Sequence, residues 1–532
     1  MKTGFKKYFT LLFSAFLFAA NSQNIFVQTY GDLLSESSFS AAQTSDKGFI
    51  LSGFTDSYGT GVNNFYLVKI DSTANIIWSK IYEGNHDDEA YSAQQTADGG
   101  YILAGYTKSF GAAYDDACLI KTDANGDTLW TKIYGSSSFE FANTVTQTTD
   151  GGYVFAGYAE GNTVDSAVGS IYLVKTNSLG SIVWQKVLGP SGETTDAYCI
   201  KQTTDKGYVI TGFTNGFGET TGDAFLLKTD SLGNPTFTKT YGYQGYDWGN
   251  SLQQTSDGGY VIGGAYSTDS TSLDVDAYII KTDANGDTLW TRTYGGAGND
   301  YAQSIQQTTD GGYILGGYTN GFGEGSNDAF LVKVNANGDT LFTKTFGGLN
   351  DDEANFVFQT SDGGYALSGQ TTSFGNGNYD FYFVKTDANG NSSCHQTNVH
   401  AAKRIPKTKV TTGISKQAAI PALEVKVSPV IYSGATATDV CNPIGILKFN
   451  IQILKCSIFP DPNNGVFNFF IENYSGKAKI NITNILGEPI YTVLEENFTL
   501  KEINLSTLPN GTYFIQVNGD GKTYTGKFLV NK

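Results

Sequence analysis

The stretch QTTDGGYILGGYT (residues 307–319) finishes one extended segment, turns on Asp-Gly-Gly and starts another. Alternating apolar and small residues after a Gly-marked turn read as the centre of a β-hairpin. The same signature, Gln-Thr-x-Asp-(Gly/Lys)-Gly-(Tyr/Phe), begins at Gln43, Gln95, Gln147, Gln202, Gln254, Gln307 and Gln359, at intervals of 52 to 55 residues. Each unit holds four short strands: one ending at Gln-Thr, one like GYILGGYT (312–319), one like AFLVKVN (329–335) and one like TLWTKIYG (128–135). Four strands repeated at roughly 50 residues is the pattern of a propeller blade, and seven blades make a common ring. The seventh unit stops one strand short, because DFYFVKTDANGN (380–391) runs into SSCHQTNVHAAKR. The missing strand stands at the other end of the chain as IFVQTYGD (25–32), which would close the ring and hide two strand edges.

The expected fold is therefore all-β. A seven-bladed β-propeller of four-stranded blades occupies residues 23–393, with the N-terminal strand closing blade seven. Residues 394–455 are expected to be a basic linker with at most fragmentary strands. Residues 456–532 read as a small C-terminal Ig-like β-sandwich. Residues 1–22 carry Lys2, Lys6 and Lys7, an apolar run from Tyr8 to Ala20 and small residues at Ala20 and Ser22, the pattern of a cleaved secretory signal. No later segment approaches the ~20 apolar residues of a spanning helix, so no transmembrane anchor is expected.

Between residues 23 and 393 there are 17 Lys and Arg against 42 Asp and Glu, whereas residues 394–456 carry 8 basic and 2 acidic side chains. So acidic a body repels nucleic acid and anionic lipid. The five cysteines are too scattered for a disulfide scaffold or a zinc site. Cys118 and Cys199 fit buried strand positions, and an exported chain could pair Cys394 with Cys441, although spacing alone leaves the connectivity open.

The last 75 residues or so carry Pro460-x-Pro462 followed by Gly465, Gly487 after a strand, INLSTLPNGTYFIQV with Gly511 and Tyr513, and a terminal Lys532. This segment resembles the type A sorting domain of the type IX secretion system of Bacteroidota. Phe459 stands where that family often has Tyr, and Asn484 where Asp is common. The resemblance implies handling by the type IX machinery, removal of this domain, and a protein released or attached at the cell surface.

Catalytic signatures are missing. Only three His occur, and there is no Gly-x-Ser-x-Gly, His-Glu-x-x-His or phosphate loop. The DANGD turns lack the distal Glu of a calcium loop, so neither metal nor cofactor is expected. Two sets of residues on the face carrying the variable second-to-third loops are candidate sites. One comprises channel-mouth acids, Glu36, Asp88, Glu140, Asp196, Asp247, Asp300 and Asp352, for which capping of strand ends is the competing role. The other is an aromatic set, Tyr58, Phe110, Phe217, Phe322 and Phe374, each followed by Gly, which would stack on a ligand or tuck between blades. The expected function is non-catalytic binding of a glycan or protein. The alternative is a polysaccharide lyase or glycosidase using acids of the same face.

Overall fold

The computed structural model describes residues 23–58, 63–111, 114–160, 169–190, 193–216, 221–268, 274–413, 416–418, 423–427, 430–432, 434, 436–441, 456–459, 466–471, 477–484, 488–496, 500–519 and 522–532. Contacts divide the chain into two units, residues 1–442 and 443–532. Among the described residues there is no helix.

In the first unit the repeats form seven antiparallel four-stranded sheets. Sheet one runs Glu36–Gln43, Phe49–Thr55, Asn64–Ile70 and Ile76–Glu83. Sheet seven runs Asp352–Gln359, Tyr365–Thr371 and Asp380–Thr386, and takes Phe26–Gly31 as its fourth strand, with Phe26 opposite Lys385 and Tyr30 opposite Phe381. Each sheet packs on the next, and sheet seven packs on sheet one through Phe26, Phe358, Phe381 and Phe383 against Phe49, Leu51 and Tyr66.

The signature is explained residue by residue. The first Gln of each copy accepts, at Oε1, the backbone N–H of the turn in the preceding sheet. Ser45 donates to Gln95 at 2.9 Å, Thr149 to Gln202 at 2.9 Å, and the series returns to its start where Ser361 of sheet seven donates to Gln43 of sheet one at 2.8 Å. The turn itself is built on the signature Asp. Asp150 Oδ1 accepts the Thr148 hydroxyl at 2.5 Å, the Gly152 N–H at 3.0 Å and the Lys175 ammonium at 3.1 Å. All seven copies have such a lysine in the third strand, its side chain 2–8 % exposed, reaching the turn from inside the sheet. Where five copies have Gly in the turn at positive φ, Lys47 and Lys206 take the same conformation at φ 67° and 66°.

Residues 394–441 are not a linker. Seven short strands in this segment add a fifth strand to every sheet, visiting them in reverse order: Gln396–Asn398 on sheet six, Ala402–Arg404 on five, Lys409–Gly413 on four, Lys416–Ala418 on three, Leu423–Val427 on two, Val430–Tyr432 on one and Thr436–Asp439 on seven. The outermost strand of each repeat is an open edge with unpaired N–H and C=O groups, and this belt covers part of each. It ends on Phe26–Gly31, so the N-terminal strand lies between Asp380–Thr386 and Thr436–Asp439. Cys394 and Cys441, at the two ends of the belt, form a disulfide with Cα atoms 5.4 Å apart.

The second unit comprises two antiparallel sheets, Cys456–Phe459, Val466–Ile471 and Leu500–Asn504 in one, and Pro489–Glu496, Lys477–Thr483, Gly511–Gly519 and Lys522–Val530 in the other. They share a core of Phe467, Phe469, Ile480, Ile482, Ile515 and Phe528.

The disulfide closes a loop with a sequence separation of 47 residues. Loop-closure entropy then assigns it about 4 kcal/mol. Cys394→Ser with Cys441→Ser should lower the stability of the first unit by up to that amount in equilibrium denaturation and make the 394–441 segment the first to be cut in limited proteolysis. Unaltered stability and cleavage would show that strand pairing alone holds the belt.

Candidate functional site

Every inner strand carries a β-bulge at the same position, three residues after its start: Phe39, Tyr91, Asn143, Tyr198, Asn250, Gln303 and Asn355. A bulge re-aims its side chain. All seven line a cavity of about 540 Å3 enclosed by the inner strands, and all but Asn250 also line a second cavity of about 590 Å3 with Phe141, Tyr158 and Asp196. The bulge also explains the Gly in each second strand. A Cβ at Gly53, Gly105, Gly157, Gly212, Gly264, Gly317 or Gly369 would lie 1.7–2.0 Å from a carbonyl oxygen of the bulged strand. Amides tie neighbouring bulges together: Asn143 Nδ2 donates to Ala197 O at 3.0 Å, and Asn355 Nδ2 of sheet seven to Ser38 O of sheet one at 3.0 Å.

Aromatic rings follow one another around this mouth. Phe54, Phe39, Tyr91, Tyr106, Phe141 and Tyr158 form an unbroken chain over sheets one to three, with successive centroids 5.2–6.1 Å apart. Sheets four and five add Phe213, Tyr246 and Trp248, with planes within 25° of one another. Carboxylates stand among them. Glu89 accepts Asn63 Nδ2 at 2.7 Å and stands near the phenols of Tyr91 and Tyr106, while Glu353 in sheet seven accepts Asn327 Nδ2 at 2.8 Å and Gln370 Nε2 at 2.9 Å. Asp196 accepts Asn143 Nδ2 at 3.1 Å, and desolvation raises its pKa to about 7 against the opposing pull of the Ala197 N–H and the Asn143 amide.

The sequence-derived acids separate into two groups. Glu36, Asp88, Glu140, Asp247, Asp300 and Asp352 are 0–2 % exposed and are not channel-mouth residues. They fasten loops: Glu36 Oε2 accepts the Asp32 N–H at 3.0 Å, Asp300 Oδ2 the Gly296 N–H at 2.9 Å and Asp88 Oδ2 the Ser109 hydroxyl at 2.7 Å. Asp196 lies six rather than seven residues before its Gln, so Thr195 takes the buried position and Asp196 faces the mouth.

The aromatic set drawn from the loops is also corrected. Tyr58 packs on Tyr66, Phe322 stacks on Phe330 at 6.2 Å, Phe374 lies between Tyr382 and His395, and Phe110 packs into the core shared by sheets one and two. These contacts hold the four rings against the sheets, and none of the four lines either of the two cavities at the mouth. Phe217 lies outside the described residues, as do Pro460, Pro462, Gly465 and Gly487. Gly511 opens its strand, and the Lys532 backbone N–H donates to Asn510 Oδ1 at 2.9 Å, tying the chain end to the LPNG loop.

Comparison with known proteins bears on the second unit. Residues 457–531 match the secretion system C-terminal sorting domain. The protein is therefore handled by the type IX secretion system and is secreted or attached to the cell surface. The chain is also 26% identical over 241 residues to Regulatory protein FlaEY of Caulobacter vibrioides, covering 40% of this chain and 24% of that protein, so it spans about a quarter of this relative's length. Among solved structures, it is similar to the extracellular domain of a hybrid two-component system, BT3049 of B. thetaiotaomicron, at 12% identity and a TM-score of 0.29, covering 93% of this chain and 68% of that one. The biofilm-associated protein BSP domain is similar at 12% identity and a TM-score of 0.13, covering 96% and 97%.

Two predictions arise here. Truncation after residue 455 should leave a folded first unit in the periplasm, and appending residues 442–532 to an unrelated periplasmic protein should carry it to the surface or medium, both read by cell fractionation. Normal export of the truncated chain would refute the role of the second unit.

The second concerns pH. Across a Gly near the end of the fourth strand, five junctions place two carboxyl groups side by side: Glu36 with Asp380, Glu140 with Asp116, Asp247 with Asp223, Asp300 with Asp276 and Asp352 with Asp328. Desolvation, and then the neighbouring acid, raises Asp247 to about 8, and burial raises Asp300, Asp328 and Asp380 to about 6. A raised folded-state pKa favours the protonated form, so the stability it contributes is complete below the ordinary Asp value and is lost as pH climbs through about 6 to 8. The signature acids act oppositely. Against desolvation, the Thr hydroxyl, Lys ammonium and Gly N–H hold Asp150 at about 2, so its contribution disappears only below the ordinary value. The melting temperature should therefore fall between about pH 5 and pH 8, and Asp247→Asn should flatten that fall; a Tm rising over this interval would contradict it.

Proposed function

We propose that the first unit is a seven-bladed β-propeller that acts, once exported, as a non-catalytic glycan-binding protein, holding its ligand at the aromatic mouth of the central cavity. The observation that carries this reading is the chain of six rings from Phe54 to Tyr158, beside the amide of Asn143 and the carboxylate of Glu89. Sugars present C–H faces that pack on aromatic rings and hydroxyl rims that need hydrogen-bond partners, and this mouth offers both. The lining rings Phe39, Tyr91, Phe141 and Tyr158 stand on first and second strands rather than on loops, which limits the ordering cost of binding.

A second reading, an enzyme acting on polysaccharide with the same scaffold, draws support from Asp196. A carboxyl group held near pH 7 in a cleft is the usual state of a general acid. One experiment separates the two. The whole chain is screened against immobilised polysaccharides for binding and, in parallel, for release of reducing ends or unsaturated products. Binding without product, weakened about tenfold or more by Tyr91→Ala and unaffected in kind by Asp196→Asn, supports the binding protein. Turnover abolished by Asp196→Asn would establish the enzyme instead.

A further inference from the structure

The glycan-binding reading leaves open the kind of saccharide, and the second aromatic group narrows it. Phe213, Tyr246 and Trp248 stand with centroids 6.0–6.4 Å apart and planes within 20–25°, and Tyr246 is 42 % exposed. This tile is not a core packing unit: Phe213 and Trp248 are half-buried residues of sheets four and five, and the exposed Tyr246 lies on the loop leading into sheet five. Asp196 and Phe213 are direct partners across the first two strands of sheet four, so they share a face, and Asp196 is bonded in turn to Asn143 of sheet three. The six-ring chain ends in sheet three at the equivalent pair, Phe141 opposite Tyr158. Aromatic surface thus extends over five successive sheets, interrupted by a carboxyl group.

We infer that this strip is an extended subsite for an oligosaccharide chain that is uncharged or bears amino groups, laid along the mouth from the six-ring chain to the Phe213–Tyr246–Trp248 tile. The inference rests on the glycan-binding reading above. Two features set the chemistry. Length comes from the spread of aromatic positions over five successive sheets, with Asp196 standing between the six-ring chain and the tile. Charge comes from Glu89 and Asp196 in the strip, Asp87 beside it and Glu353 of sheet seven beyond its end, and Lys108 in this region is already paired with Asp87 at 3.1 Å. Such a surface repels uronic acids and sulfated sugars and tolerates hydroxyls or an ammonium group.

The test titrates the whole chain with neutral xylo- and cello-oligosaccharides of increasing length, with chitosan oligomers and with polygalacturonate. Affinity for a neutral or amino series should rise with chain length and then level off. Tyr246→Ala or Trp248→Ala should weaken long oligomers about tenfold while leaving the shortest binding oligomer unchanged, whereas Tyr91→Ala weakens both. Circular dichroism melts confirm that each variant is folded, and the exposed Tyr246 gives a variant with little risk to the core. Binding that is lost with Tyr91→Ala but indifferent to both tile variants would overturn the extended subsite and leave the glycan-binding reading standing. So would a preference for polygalacturonate. Failure of every saccharide to bind would remove that reading itself.

Discussion

The first unit depends on one hydrogen bond made seven times. At the end of each inner strand a glutamine carboxamide accepts the N–H of a turn in the sheet before it, and the last of these bonds, from Ser361 to Gln43, joins sheet seven to sheet one. A cyclic arrangement has no slack: if one junction opens or rotates, the error accumulates around the whole series. The turn that presents the N–H must therefore have a fixed shape. That is the role of the Asp held by a Thr hydroxyl, a Gly N–H and a lysine ammonium buried in the third strand. Burying a lysine is costly unless it is paired, so loss of the Asp would strand a cation inside the sheet as well as release the turn.

The two ends of the repeat array are secured by different means. Apolar packing and strand pairing fix Phe26–Gly31 to sheet seven, and Tyr30 donates to Ala74 O in sheet one at 3.0 Å, the same bond that Tyr82, Tyr134, Tyr241 and Tyr294 make to the next sheet. The belt then covers the N-terminal strand from outside, with Val440 N donating to Val27 O at 3.0 Å, and the disulfide joins the belt's end to its beginning. Because the belt is complete at Cys441 and the sorting segment matches from residue 457, everything that closes the first unit lies upstream of the export module.

The strands of the repeats and the borrowed N-terminal strand were legible in the sequence because period-2 alternation and Gly turns recur seven times. The belt was not. Its strands are three to five residues long, too short to display an apolar period, and Ala402–Arg404 and Thr436–Asp439 are exposed throughout. The acids were legible as a set but misplaced, since a carboxylate seven residues before Gln and one six residues before it look alike in text and point to opposite faces of a strand. Phe110 and Phe374 drew attention through a shared loop phrase, whereas Phe39, Tyr91 and Tyr198 reach the mouth through a bulge, and a bulge leaves no mark except the unvarying Gly across from it. That Gly, in GYILGGYT and its counterparts, was the available signal.

The repeats separate structural from functional residues by a simple criterion. A residue that serves closure must recur at every junction, as the Gln, Asp, Lys and second-strand Gly do. A residue that serves a ligand need not. At the bulges, sheets one, two and four have Phe39, Tyr91 and Tyr198, while sheets three, five, six and seven have Asn143, Asn250, Gln303 and Asn355, so the mouth varies between aromatic and amide side chains although its backbone is the same throughout. The largest departure falls at sheet four. There the buried acid position is held by Thr195, whose hydroxyl lies 2.7 Å from that of Thr214, and the carboxyl group has moved one residue along the strand to Asp196 in the cavity. That single shift removes a carboxyl group from a structural position, where a Thr pair replaces it, and places one between the two aromatic groups. In a framework otherwise held to sevenfold repetition, Asp196 is where the chain has exchanged a closing contact for an accessible carboxyl group.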